Sequence, residues 1–213
     1  MDFTLAGLRQ RVLIDKLNDP DYEVDVIDNF INDAHREIFN KLRLSFQEKI
    51  FNGAVPTGSN MFQIPADLAN LEHCSITGIA GFNGMKMSWR DFFNKFPDAD
   101  TATPGAPEAW TLFGGNIIFS RPTDKAYTMN MFYIKKAKTL TAGTDIPDTP
   151  EEFSEAILLG ATRRVQERED DLPEAQETQT QFTQQLYDVV EKYGERSISG
   201  PMYVDNGFTS SRR

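Results

Sequence analysis

Helical periodicity governs both ends of this 213-residue chain and disappears from its middle. Residues 1–45 carry two helical patterns, broken at Asn18-Asp19-Pro20-Asp21. Before the break, Leu5, Leu8 and Val12, with Ile14 and Leu17 more loosely, follow helical spacing. After it, Ile27, Phe30, Ile31, Ala34, Ile38 and Leu42 step by three or four onto one face. Asp21, Glu23, Asp25 and Asp28 fall where this second helix begins, and carboxylates there complement the positive end of the helix dipole.

The period returns at residue 149. Thr149-Pro150-Glu151-Glu152 predicts a helix start, with Thr149 as N-cap, Pro150 in the first position and Glu152 closing a capping box. Phe153, Ala156, Ile157, Gly160, Ala161 and Val165 then form a narrow face whose small residues suit close helix packing. A last helix opens at Pro173 and shows Ala175, Thr178, Phe182, Leu186, Val189 or Val190, and Tyr193 on one side. Gly194 is expected to cap it.

Between these ends, residues 46–148 hold most of the glycine and proline, and short alternating runs replace the helical period. The strand candidates are 46–51, 61–64, 72–79, 109–113, 116–119 and 127–134. Gly114-Gly115 reads as a two-residue hairpin turn, and 56–59 and 104–107 read as turns or loops. A short helix is expected over 88–96, started by Ser88 and stopped before Pro97. The predicted class is therefore α+β. A helical bundle (1–45 and 149–194) carries an inserted antiparallel β-rich domain (46–148) and an extended C-terminal arm (195–213).

Composition limits what such a chain can do. With 39% hydrophobic residues, 16 Phe among them, it can build a real core. No apolar run approaches the roughly 18 residues of a membrane-spanning helix, and the first residues lack the apolar stretch of a signal peptide. A single cysteine, Cys74, rules out an intramolecular disulfide and a four-thiolate metal site. A protein made and kept in a reducing cytoplasm is expected. Lys and Arg number 22 against 32 Asp and Glu, a net charge of -10, which disfavours a protein that grips nucleic acid by its phosphates. The excess concentrates in 149–193, with 11 acidic and 4 basic side chains.

Chemistry-bearing motifs are few. His35, among Asp33, Arg36 and Glu37, reads as a surface residue. His73-Cys74 could pair a base with a nucleophile, but neighbours on a strand point to opposite faces, so Cys74 reads as a small core residue. Gly78 to Gly84 lacks the Lys-Ser/Thr ending of a phosphate loop and reads as a turn. Asp19, Asp21 and Glu23 alternate like a calcium loop, but Val24 stands where its glycine belongs and Phe30 where its bidentate Glu belongs. Arg163, Arg164 and Arg168, among Glu167, Glu169, Asp170 and Asp171, suggest a solvated or intersubunit ion-pair face. No nucleophile, metal or cofactor constellation emerges, so an enzyme is not expected. The terminal segment is unusual. Ile198, Met202, Tyr203, Val204 and Phe208 stud a turn-rich stretch, more apolar than a solvated tail needs, so an arm that orders on another subunit or partner is expected ahead of one that folds back.

Several stretches together carry a resemblance. Leu8-Arg9-Gln10-Arg11-Val12-Leu13 precedes Phe30-Ile31-Asn32-Asp33-Ala34-His35-Arg36-Glu37-Ile38. Ile64-Pro65-Ala66-Asp67, Pro107-Glu108-Ala109-Trp110 and Tyr133-Ile134-Lys135-Lys136 follow, then Ile146-Pro147-Asp148-Thr149-Pro150-Glu151-Glu152-Phe153 and a helix from Ala156 to Arg164. This order resembles the adaptor, or head–tail connector, proteins of tailed bacteriophages, the podophage-like neck adaptor more than the shorter siphophage type. The resemblance implies a structural virion protein of the neck. It would form a twelve-fold ring under the portal protein, contact tail or nozzle proteins, and let genomic DNA pass without specific binding. It also implies no catalytic residue, cofactor or membrane, and portal docking through the C-terminal segment with its five apolar anchors. A tail-fibre or other tail-associated binding module, which would share the aromatic enrichment, is the competing class; symmetry separates the two, a trimer favouring the fibre.

Overall fold

Thr4 starts the fold, because its hydroxyl accepts the Gly7 N–H at 3.2 Å and so satisfies one of the free donors of a helix N-terminus. The computed structural model describes residues 2–196, with side chains as far as Lys192. Helix α1 (Leu5–Arg11) runs on as a π-helical turn over Val12–Lys16, burying Leu5, Leu8, Val12 and Leu13. The chain then reverses at Asn18, whose φ of 52° is the left-handed conformation that Asn tolerates. Helix α2 (Val24–Lys41) buries Ile27, Ile31, Ala34 and Ile38, the face the periodicity predicts.

Two further helices complete this unit, α4 (Ser154–Arg168) and α5 (Leu172–Arg196). Gly160 on α4 explains how closely α2 can approach: a Cβ there would lie 2.8 Å from Ala34 Cβ and 3.3 Å from the Phe182 ring. On α5 the buried residues are Ala175, Thr178, Phe182, Leu186, Val189 and Val190. Three expectations need correction. The capping box does not form: Glu151–Phe153 make a 3-10 turn, α4 begins at Ser154, and the buried Thr149 hydroxyl accepts no hydrogen bond from it. Gly194 does not end the last helix, which continues to Arg196. His35 is fully buried on α2, with its ring edge-on to Phe39 at 5.0 Å.

The other unit is Glu48–Lys135. It contains two three-stranded antiparallel sheets, one in the order β1 (Glu48–Val55), β6 (Tyr127–Lys135), β3 (Leu68–Ile76). The second runs β2 (Met61–Gln63), β5 (Asn116–Phe119), β4 (Trp110–Phe113). Gly114 and Gly115 join β4 to β5 with φ of 58° and 76°, the double positive φ of a two-residue hairpin. Phe82 stacks on Trp110 at 5.6 Å and accepts the indole N–H on its carbonyl at 2.7 Å, so the indole is buried without an unpaired donor. The short helix α3 (Trp89–Lys95) is capped by Ser88, as the sequence predicts.

Among the described residues, the helical unit comprises those up to Gln47 and those from Lys136 to Arg196. Residues 136–148, which the sequence pattern assigns to the β-rich middle, therefore belong with the helices. They have no period of their own and act through their backbone: the carbonyls of Asp145 and Gly143 accept the N–H groups of Leu5 and Ala6 at 2.8 and 2.9 Å. Two of the open donors at the start of α1 are satisfied in this way.

Candidate functional site

Charge pairing dominates the helical unit. Glu37 on α2 receives Arg163 at 3.0 Å and Arg164 at 2.5 Å from α4, and Lys41 at 2.7 Å from one turn along its own helix. Burial alone would raise the Glu37 carboxyl. The hydrogen bonds from Lys41 and Arg164 and the charge of Arg163 outweigh it and hold the group down to about 2. Arg163 also bonds Gln179 on α5, and its guanidinium and the Lys41 ammonium lie over the Phe182 ring at 5.8 and 5.2 Å. One carboxylate thus ties three helices together. Nearby, Arg9 and Asp28 join α1 to α2 by two hydrogen bonds, and Arg11 and Lys16 both reach Glu155.

The five intersubunit candidates separate into two groups. Arg163 and Arg164 face inward onto Glu37, so they are not a solvated pair. Glu167 is half exposed and 3.3 Å from Arg163, Arg168 reaches Glu23 at 3.4 Å, and Glu169 is exposed. Asp19, Asp21, Tyr22, Glu23, Arg168 and Glu169 line an open cleft. Among the described residues, no group of three His, Cys, Asp or Glu side chains could hold a metal ion. The anchors of the arm, Ile198, Met202, Tyr203, Val204 and Phe208, lie outside the described residues.

His73 and Cys74 point apart on β3. His73 is exposed beside Phe132, whereas Cys74 is buried with its sulfur 3.1 Å from Met129 Sδ. Burial pushes the Cys74 thiol up to about 12, with Lys86 opposing, which is the reverse of an activated nucleophile. Gly78 and Gly81 take φ of 87° and 70° in a turn, and Asn83 in the short 3-10 helix behind them accepts the Cys74 backbone N–H at 3.0 Å. The sequence reading missed a surface feature of the same unit. Trp89 on α3 and Phe113 at the tip of the β4–β5 hairpin are each about half exposed and lie 5.9 Å apart. Their signal was the placement of a Trp immediately after a helix cap and a Phe immediately before a hairpin turn, where neither is needed for the core.

Comparison with known families gives the chain's relationship. Residues 3–205 match the family model of the SU10 adaptor protein. The chain belongs to the SU10 adaptor family. It is a phage adaptor protein, the class that the ordered stretches from Leu8 to Arg164 resemble. No curated protein matches the chain. Membership of an adaptor family implies contacts with other phage head or tail proteins.

Proposed function

We propose that this adaptor assembles as a ring of about twelve copies beneath the portal of a DNA-filled capsid and joins it to tail or nozzle proteins in the neck of the virion. The match of a phage adaptor family over residues 3–205 carries this reading. In it the protein is a structural component with no chemical step, and the genome passes through the ring. A net charge of -10 supports passage without capture, since acidic walls repel phosphate over a screening distance of about 8 Å at physiological salt. The exposed charges of Glu167, Arg168 and Glu169 are available to neighbouring subunits, while Arg163 and Arg164 serve inside each copy.

Portal docking is assigned to the arm that follows α5, through Ile198, Met202, Tyr203, Val204 and Phe208. Each apolar side chain buried contributes about 1.5–3 kcal/mol, against about 1–2 kcal/mol per ordered residue. A single arm is thus marginal, and a ring engaging many arms at once is not. The test mixes purified protein with portal and images the product. A ring of about a dozen copies on the portal supports the reading, and a free trimer favours a fibre-type module. Deleting residues 197–213 is expected to leave the melting transition unchanged and abolish decoration of the portal. Normal decoration by the truncated chain would move the docking surface to the helices at 149–193.

A further inference from the structure

We propose that copies of this chain meet through two unlike surfaces, the aromatic and basic patch around Trp89 and Phe113 on one copy and the outer acidic face of α5 on the next. The inference rests on the ring reading and names the contact that would build the ring.

The first surface is fixed by local structure. Phe93 lies 5.8 Å from Phe113 in an edge-to-face arrangement, so three rings run from the outer side of α3 to the hairpin tip. The Ser88 cap and the glycine turn set the position of both carriers. Exposed aromatic clusters of this kind mark contact sites rather than ordinary surface, and Trp and Arg dominate contact energetics where they occur. Basic side chains of α3 accompany the rings. Arg90 lies over Trp89 itself at 5.2 Å, and exposed Lys95, further along the same helix, lies over Phe96 at 5.2 Å. Neither cation forms an ion pair among the described residues. The single carboxylate within residues 86–95, Asp91, is turned to the helix cap, accepting the Ser88 hydroxyl at 2.6 Å.

The second surface is its complement. Glu174, Glu177, Gln181, Gln184, Asp188 and Glu191 are exposed and recur every three or four residues along α5, a stripe about 25 Å long. The amides of Gln181 and Gln184 bond Glu177 and Asp188, and no cation pairs with the four carboxylates among the described residues. Half-exposed Tyr187 stands beside the stripe. Among the described residues, one surface thus offers cations without ion-pair partners beside aromatic rings, and the other anions without cationic partners beside a ring.

A second copy is the partner these observations favour, because each chain carries both halves, on different units. A contact between unlike patches is heterologous, and repeated by rotation it closes a ring. It also reconciles a strongly acidic chain with self-association: copies repel at long range, and only apposition of these two patches brings opposite charges together.

The test places a photo-crosslinking amino acid at position 113 of the full chain, illuminated alone at low salt and again with portal protein. Covalent oligomers whose links map to residues 172–191 of a second copy are expected. Their yield should fall by about tenfold in the variant Arg90→Glu with Lys95→Glu and recover when Glu177→Lys and Asp188→Lys are added in the same chain. All four positions are exposed, so the melting transition should stay in place and serve as the folding control. Rings that form with their links elsewhere would overturn this contact and leave the ring reading standing. Absence of any oligomer, even with portal, would overturn both.

Discussion

The side-chain amide of Asn32 takes both backbone polar groups of Leu140: its Nδ2 donates to the Leu140 carbonyl at 2.9 Å and its Oδ1 accepts the Leu140 N–H at 2.7 Å. A buried side chain on α2 thus does for an irregular segment what a neighbouring strand would do in a sheet. Asn32→Ala removes both partners of a buried peptide and is expected to cost about 2–4 kcal/mol. Urea unfolding measures the loss, and the Leu140 amide should exchange with solvent faster. An unchanged midpoint would show that water replaces the amide at no cost.

Gly160 sets the distance between α4 and α2. Alanine is favoured over glycine in helices by about 1 kcal/mol, yet Gly160→Ala is expected to destabilise by about 1–3 kcal/mol, because the new methyl would meet Ala34 Cβ at 2.8 Å. The pair Ala34→Gly with Gly160→Ala returns the space and should recover most of the loss. A stabilising single substitution, read by thermal melting, would show that the helices can move apart freely.

Glu37 makes acid stability predictable. Its carboxyl is held near 2, below its ordinary 4.5, so its ionised form is favoured in the folded chain. Stability from this group is complete above about pH 4.5 and is lost as pH falls toward 2, by linkage on the order of 3 kcal/mol. Glu37→Gln should destabilise at neutral pH, where Arg163 and Arg164 lose their counter-charge. The gap to the parent chain should narrow between pH 4.5 and 2. Parallel pH profiles of the two proteins would refute this account.

Cys74 should be chemically silent. With its thiol raised to about 12 by burial, reaction with a thiol reagent at pH 8 is expected only on unfolding, and the labelling rate should rise with urea in step with loss of structure. Fast labelling of the native protein would mean that the sheet between β3 and β6 opens locally.

Much of this was legible in one dimension where neighbours in sequence determine the outcome. The buried faces of α2 and α5, the Ser88 cap and the Gly114-Gly115 hairpin all depend on spacing within a single helix or turn. His35 was misread although a signal existed: it lies four residues after Ile31 and three before Ile38, on the buried face, and its polarity outweighed its position. The Glu37 network was illegible, because Arg163 and Arg164 lie more than a hundred residues away and the sequence shows only a mixed-charge helix. Residues 136–148 were misassigned for a related reason. They have no period, and what holds them is Asn32 and the open N–H groups of α1. The Trp89–Phe113 patch joins a helix start to a hairpin tip, a proximity that only the folded sheet creates.

The entry and exit of the β-rich unit are hydrogen-bonded neighbours, Glu48 standing opposite Ile134 in the β1–β6 ladder. Helix α2 must find α4 across an insertion of nearly ninety residues, and closing so long a loop from an open chain would be entropically slow. Once β1 and β6 zip, the loop between α2 and α4 shrinks from about 110 residues to about 25, a saving of about two halvings of loop length, or roughly 1 kcal/mol. The insert therefore acts as a folding clamp. Weakening the β1–β6 ladder should slow the docking of helices that it never touches in sequence, and replacing the whole unit by a short turn should leave the bundle able to close.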